Sequence, residues 1–212
     1  MYNVPYFKAL EQKDVLAFMQ THPFVTICGV TDEGWPVATQ VPVLVNHNEE
    51  DIVITGHLMR KQMHTQAFEK NNKVLIIFQG EQSYVSASWY TQPLQASTWN
   101  YMAVHATGYM RMLDEAALYN VLLQQTRFFE GKADSINDVV KMPDDYLKAN
   151  MKAIVAFEVK IAAYEHVFKL SQNKDDVTFH SVVQHLQNGT PQQQQLAKEM
   201  MDQNRNRLYE NK

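Results

Sequence analysis

Five or six short runs of β-branched and aromatic residues, separated by polar turn clusters, constrain this chain more than any other feature. Residues 24–30 are followed by Thr31-Asp32-Glu33-Gly34, which can turn the chain back into residues 37–45, so the two runs read as a hairpin. Further runs follow at 52–55, at 73–78 with a resumption at 83–86, at 99–112 and at 153–163. Few of the connections are of the kind that joins parallel strands, and helices are inserted between the runs. The pattern predicts an α+β fold, an antiparallel barrel of five or six strands with peripheral helices and a C-terminal helical tail, rather than a doubly wound sheet. Pro42 cannot donate to a ladder, so it should mark an edge, a bulge or a ligand-facing rim.

Helical spacing of Val15, Leu16, Phe18 and Met19 gives an opening helix that stops at Thr21-His22-Pro23. Gly56 is expected to break the third run and to lead into a helix from about Leu58 to Lys70, ended by Asn71-Asn72. Gly80 should bend the chain and Gly108 should interrupt the long run 99–112. Residues 89–98, around Pro93, read as a loop. Asp114 is placed as the N-cap of a helix ending at Gly131, and another helix covers about 143–152. Beyond Asn173 the character becomes polar and helical: Asn188-Gly189 stops one helix, and Thr190-Pro191 opens a last one reaching about Tyr209. The chain thus divides into a barrel domain, 1–173, and a helical appendage, 174–212.

With 45% hydrophobic and 20% charged residues in 212, one sizeable core can be buried and disorder is excluded. The net charge of −4, with scattered basic residues, disfavours general nucleic-acid binding. A single cysteine, Cys28, allows no internal disulfide, and its apolar neighbours predict a buried, inert thiol. No basic-then-apolar leader and no bilayer-length apolar run is present, so a cytoplasmic protein outside the membrane is expected.

Two stretches could carry chemistry. In Thr55-Gly56-His57-Leu58-Met59-Arg60-Lys61 a strand passes through glycine to adjacent cations, a junction able to meet a phosphate, although the pair could equally be solvated. It is not a P-loop, since the glycine spacing and the Lys-Ser/Thr pair are missing. The second stretch, Ser83, Tyr84, Ser86, Ser88, Trp89 and Tyr90 followed by Thr98-Trp99-Asn100-Tyr101, offers flat apolar walls and fixed donors to a planar ligand, or the filling of a barrel end.

The eight histidines form no zinc-type spacing, His180 and His185 being five apart, so no metal site is assigned. His57 could contact an anionic ligand; His105, within a strand, reads as a core or interface residue. No nucleophile elbow or serine-histidine-acid set is present. Glu49-Glu50 and Asp144-Asp145 fit turns and helix starts. The last two helices could form a helix-turn-helix, but Pro191 and four glutamines open the second with few cations nearby.

Taken in order, the segments Met1-Tyr2 with Pro5 and Phe7, His22-Pro23-Phe24, Thr55-Gly56-His57, Phe78-Gln79-Gly80, Tyr84-Val85-Ser86 with Ser88-Trp89-Tyr90, Thr98-Trp99-Asn100-Tyr101 and Phe168-Lys169-Leu170-Ser171-Gln172-Asn173 resemble the PaiB-like family. That family is described as FMN-binding negative transcriptional regulators and is related to split barrels of the pyridoxamine-phosphate-oxidase type. The resemblance implies an antiparallel six-stranded split β-barrel, a homodimer and FMN at the subunit interface. It makes Thr55, His57, Arg60 and Lys61, with Thr39 and Gln40 on the neighbouring strand, the phosphate-side candidates. Ser86, Trp89 and Trp99 become ring-side candidates, and Lys169 and Gln172 follow from the terminal motif.

Three departures fall near these positions. Gln40 stands where the family usually has His, Met59-Arg60-Lys61-Gln62-Met63 replaces an Ala-Arg-x-Asn-Pro-like helix start, and His166-Val167 replaces Gly-Lys before the terminal motif. The functions that compete are a flavin-dependent redox or sensing role, transcriptional regulation through DNA or a protein partner, and haem handling with His57 or His105 as axial ligand.

Overall fold

The computed structural model describes residues 1–9, 11–48, 51–132 and 135–210, with the side chains of 204–210 excepted; the Glu49-Glu50 pair therefore lies outside the described residues. Six strands form a closed barrel in the order β1-β2-β3-β6-β5-β4, as the alternating runs predict. They are β1 (Phe24–Val30), β2 (Pro36–His47), β3 (Ile52–Met59), β4 (Lys73–Val85), β5 (Thr98–Met112) and β6 (Ile154–Lys169). The helices are α1 (Gln12–Thr21), α2 (Met63–Lys70), α3 (Glu115–Glu130), α4 (Asp144–Met151), α5 (Asp176–Gln187) and α6 (Pro191–Glu210). No described helix is long and apolar enough to cross a membrane.

The chain divides into two compact units. The larger, residues 19–78 and 105–164, takes part of every strand. Its ladders are antiparallel: β1 pairs with β2 (Ile27 opposite Thr39) and with β4 (Ile27 opposite Ile76), and β3 pairs with β2 and with β6. Alternation sends Val25, Ile27, Ile54, Leu58, Ile76, Phe157 and Val159 into the core, each at most 2% exposed. A second apolar cluster forms where Leu118 and Val121 of α3 meet Ala156 of β6 and Met151 of α4.

Within this unit β2 changes partner at Pro42. Its first half pairs with β1 as far as Phe24 opposite Pro42, and from Val43, opposite Gly56, it pairs with β3. The proline's missing N–H falls where one ladder gives way to the other.

Three glycine expectations are corrected. β3 does not end at Gly56; it continues to Met59, because a Cβ there would stand 2.8 Å from the Phe157 ring, so the glycine makes room for that ring inside the strand. Likewise β4 runs unbroken through Gly80 and β5 through Gly108. In consequence α2 starts at Met63, not Leu58.

The smaller unit comprises residues 1–18, 79–104 and 165–212. Phe18 of α1 packs on Phe168 at a ring separation of 5.1 Å, and Val182, Leu186, Leu196 and Met200 are fully buried on the facing sides of α5 and α6. Thr190 caps α6 reciprocally: its Oγ1 accepts from the Gln193 N–H at 3.3 Å, and Gln193 Oε1 accepts from the Thr190 N–H at 2.9 Å. The Asp114 and Gly131 caps of α3 stand as read, with Asp114 Oδ1 accepting from the Ala117 N–H at 2.9 Å and Gly131 at φ 66°.

Candidate functional site

The phosphate-side candidates all lie in the larger unit. On β3 the buried face carries Ile54, Gly56 and Leu58, so Thr55, His57 and Met59 share the opposite face. Thr55 Oγ1 is buried and has no hydrogen-bond partner, one of two such atoms among the described residues; a hydroxyl left so costs about 1–3 kcal/mol.

Past Met59 the chain turns sharply. The Thr65 hydroxyl donates to the Met59 carbonyl at 2.8 Å, and the Arg60 N–H donates to the Ala153 carbonyl at 2.8 Å. Lys61 sits in the left-handed region at φ 61°, a conformation costing a non-glycine residue of order 1–3 kcal/mol. Arg60 and Lys61 are exposed and belong to this turn, not to the first turn of a helix as the sequence suggested.

On β2, Thr39 and Gln40 lie opposite Ile27 and Thr26 of β1. Being adjacent in a strand they point to opposite faces, and of the two only Gln40 is exposed.

His57 is not free. Its Nδ1 lies 2.8 Å from Oε1 of Gln125 on α3, and Gln125 Nε2 donates to the Pro42 carbonyl at 2.9 Å. Gln125 was missed in the sequence, though a signal exists: Leu118, Val121 and Gln125 form one buried helical stripe, and a glutamine in such a stripe needs partners.

The ring-side candidates all lie in the smaller unit. Ser86 caps the turn Ala87–Trp89, its Oγ accepting from the Ser88 N–H at 3.2 Å and lying 2.7 Å from the Ser88 hydroxyl. Trp89 stacks on His185 of α5, with ring centres 5.0 Å apart and planes 12° from parallel, and its carbonyl accepts from the Ser181 hydroxyl at 2.7 Å. Trp99 is 52% exposed and meets Tyr84 edge-on at 6.2 Å. Of the two indoles, Trp99 therefore has the freer face.

Lys169 is half-buried; its ammonium donates to the Thr98 hydroxyl and stands 6.0 Å from the Tyr2 ring and 5.8 Å from the Phe7 ring. Burial pulls its pKa below the usual lysine value. Gln172 holds backbone: its Oε1 accepts from the Leu170 N–H at 2.6 Å and its Nε2 donates to the Phe168 carbonyl. Cys28, the lone cysteine, is half-buried, and desolvation pushes its thiol up, away from reactivity.

Residues 1–163 match the family model described as "Putative FMN-binding domain". The chain is 33% identical over 203 residues to "Protease synthase and sporulation protein PAI 2" of Bacillus subtilis (strain 168), covering 95% of this chain and 97% of that protein. Among solved structures it resembles conserved hypothetical protein Rv2991 from Mycobacterium tuberculosis, with a TM-score of 0.56 and 11% identity over 80% of this chain and 91% of the other. It also resembles the flavocytochrome Anf3 from Azotobacter vinelandii, with a TM-score of 0.53 and 15% identity over 85% and 78% of the two chains. At these identities the two structures speak for the fold alone.

Proposed function

Since this chain belongs to the PaiB-like family of FMN-binding split barrels, we propose that it holds FMN for a redox or sensing role. In the larger unit the phosphoryl group falls to Arg60 and Lys61; in the smaller, Trp99 and Ser86 are the residues offered to a ring. A second copy of the chain completes the pocket. What supports this reading most is the strained, exposed turn at Arg60-Lys61 at the end of the strand that carries the unsatisfied Thr55 hydroxyl. The two exposed cations of that turn can meet an anionic phosphoryl group, and the Thr55 hydroxyl further back on the strand has hydrogen-bonding capacity left, so the residues fit the group. Trp99 supplies the flat apolar wall that a tricyclic ring needs. When bound, FMN supplies the redox chemistry; the protein's share is orientation and electrostatics.

The test is the absorbance spectrum of purified protein with and without added FMN. A flavin spectrum, with FMN released on denaturation, is expected; a colourless protein that takes up no FMN refutes the reading. A haem-type band instead would favour His57 or His105 as axial ligand. Sedimentation equilibrium with FMN decides the second copy: a monomer that binds fully refutes it.

A second reading is favoured by the Bacillus subtilis relative, whose name assigns it to protease synthesis and sporulation. Here the chain regulates transcription through DNA or a protein partner. Its net charge of −4 and the glutamine-rich start of α6 favour a protein partner. A salt-dependent mobility shift with operator DNA would instead establish direct contact.

A further inference from the structure

We infer that Gln125 is a positioning residue: it holds the His57 ring in the form protonated on Nδ1, so that His57 meets a bound flavin as a hydrogen-bond acceptor at Nε2, toward a ribityl hydroxyl rather than the phosphoryl group. The ligand in this statement rests on the FMN reading above; the geometry does not.

Gln125 is only 5% exposed, in the body of α3, and both ends of its amide are engaged. The Pro42 carbonyl can only accept, so the group 2.9 Å from it must be the amide NH2. Turning the amide round would set oxygen against oxygen. The other end, Oε1, is therefore the atom 2.8 Å from His57 Nδ1, and a carbonyl oxygen requires a donor there. A neutral imidazole has one N–H, so Nε2 is left with its lone pair.

The Pro42 carbonyl can anchor this relay because β2 changes ladder partner between Pro42 and Val43. Gln125 engages Nδ1, so Nε2 is the ring nitrogen left to meet a ligand.

A lone pair attracts an O–H and repels a phosphoryl oxygen, which offers only lone pairs when ionised. FMN's donors between its phosphoryl group and its ring are the ribityl hydroxyls. The acceptor therefore serves the ribityl chain and leaves the phosphoryl charge to Arg60 and Lys61, whose groups can only donate. The sequence pattern put His57 with the cations; its bond to Gln125 gives it the opposite hydrogen-bonding sense.

Long-range ¹H–¹⁵N NMR of His57 in the full chain, with FMN as the probe, tests this. In the apoprotein the Nδ1–H form is expected; with FMN, Nε2 should stay unprotonated and shift as it accepts a hydrogen bond. In Gln125→Leu the ring should go over to the Nε2–H form, with FMN affinity falling about tenfold, the worth of one such bond. An Nε2-protonated ring in the wild type, an Nε2 that gains a proton when FMN binds, or a folded Gln125→Leu variant with unchanged tautomer or affinity would each overturn the inference. The wild-type spectra decide it even where the variant does not fold. A wild type that takes up no FMN refutes the functional reading and the ligand half of this one, while the apoprotein tautomer still decides what Gln125 does.

Discussion

Arg127 on α3 donates from Nε to Oδ2 of Asp138 at 2.8 Å, and the Asp138 side chain is 1% exposed while that of Arg127 is 40% exposed. The other carboxylate oxygen accepts from the Val140 N–H at 3.0 Å, so Asp138 ties the turn Val139–Lys141 to the helix that carries Gln125.

The Arg127 bond, followed by the bond from Val140, holds the Asp138 carboxyl below its ordinary range. An acid whose folded pKa is depressed binds protons more readily when unfolded, so its contribution is complete above the ordinary carboxylate pKa and is lost as pH falls through the folded value. Thermal melts from neutral to strongly acid pH should show the wild type losing stability over that window. Asp138→Asn should be the less stable protein at neutral pH and should lack that part of the acid dependence. Parallel curves for the two proteins would refute the assignment.

Replacing Arg60 and Lys61 together by Ala should weaken FMN binding by at least about tenfold, because each charge-assisted bond is worth about 1.5–3 kcal/mol. Both side chains are exposed, so unfolding midpoints should move little. Fluorescence titration with FMN measures the first and thermal denaturation the second. Unchanged affinity would remove the phosphoryl group from this turn.

Gly108→Ala should destabilise the chain by about 1–3 kcal/mol or more, since the new Cβ would stand 2.4 Å from the Lys160 carbonyl oxygen and 2.9 Å from Val159 Cγ1. Both belong to a neighbouring barrel strand, and backbone cannot swing aside as a side chain can. Urea unfolding gives the figure; a neutral substitution would mean that β5 and β6 lie further apart.

Asp114→Ala should cost about 1 kcal/mol through loss of the N-cap bond to Ala117. Urea unfolding with an unchanged m-value checks it, and Asp114→Asn, which keeps an acceptor oxygen, should recover most of the loss.

Several features were readable locally. The opening helix ending before Pro23, the β1–β2 hairpin, the Asp114 and Gly131 caps and the Thr190 cap each depend on residues within a few positions of one another. The glycines were misread for the reverse reason. Gly56 reads as a breaker until the Phe157 ring is seen against it, and Gly108 until the Lys160 carbonyl is.

The candidate site divides along the same line. Its residue types were readable: a cation pair after a strand, and exposed aromatics with hydroxyls. Which of them have capacity left for a ligand was not. Trp89 is committed to His185, Gln172 to the backbone of Phe168 and Leu170, and His57 to Gln125, in bonds that span as many as 92 positions at Trp89 and 68 at His57.

By itself, then, the order of residues determined the strand alternation, the helix ends and the chemical kinds on offer, because those follow from backbone sterics, nearest neighbours and residue identity. Tertiary structure alone decided where strands continue through glycine, where β2 exchanges one ladder for another, and which nitrogen of His57 holds the proton. Those outcomes depend on groups from distant parts of the chain competing for the same space or the same hydrogen bond.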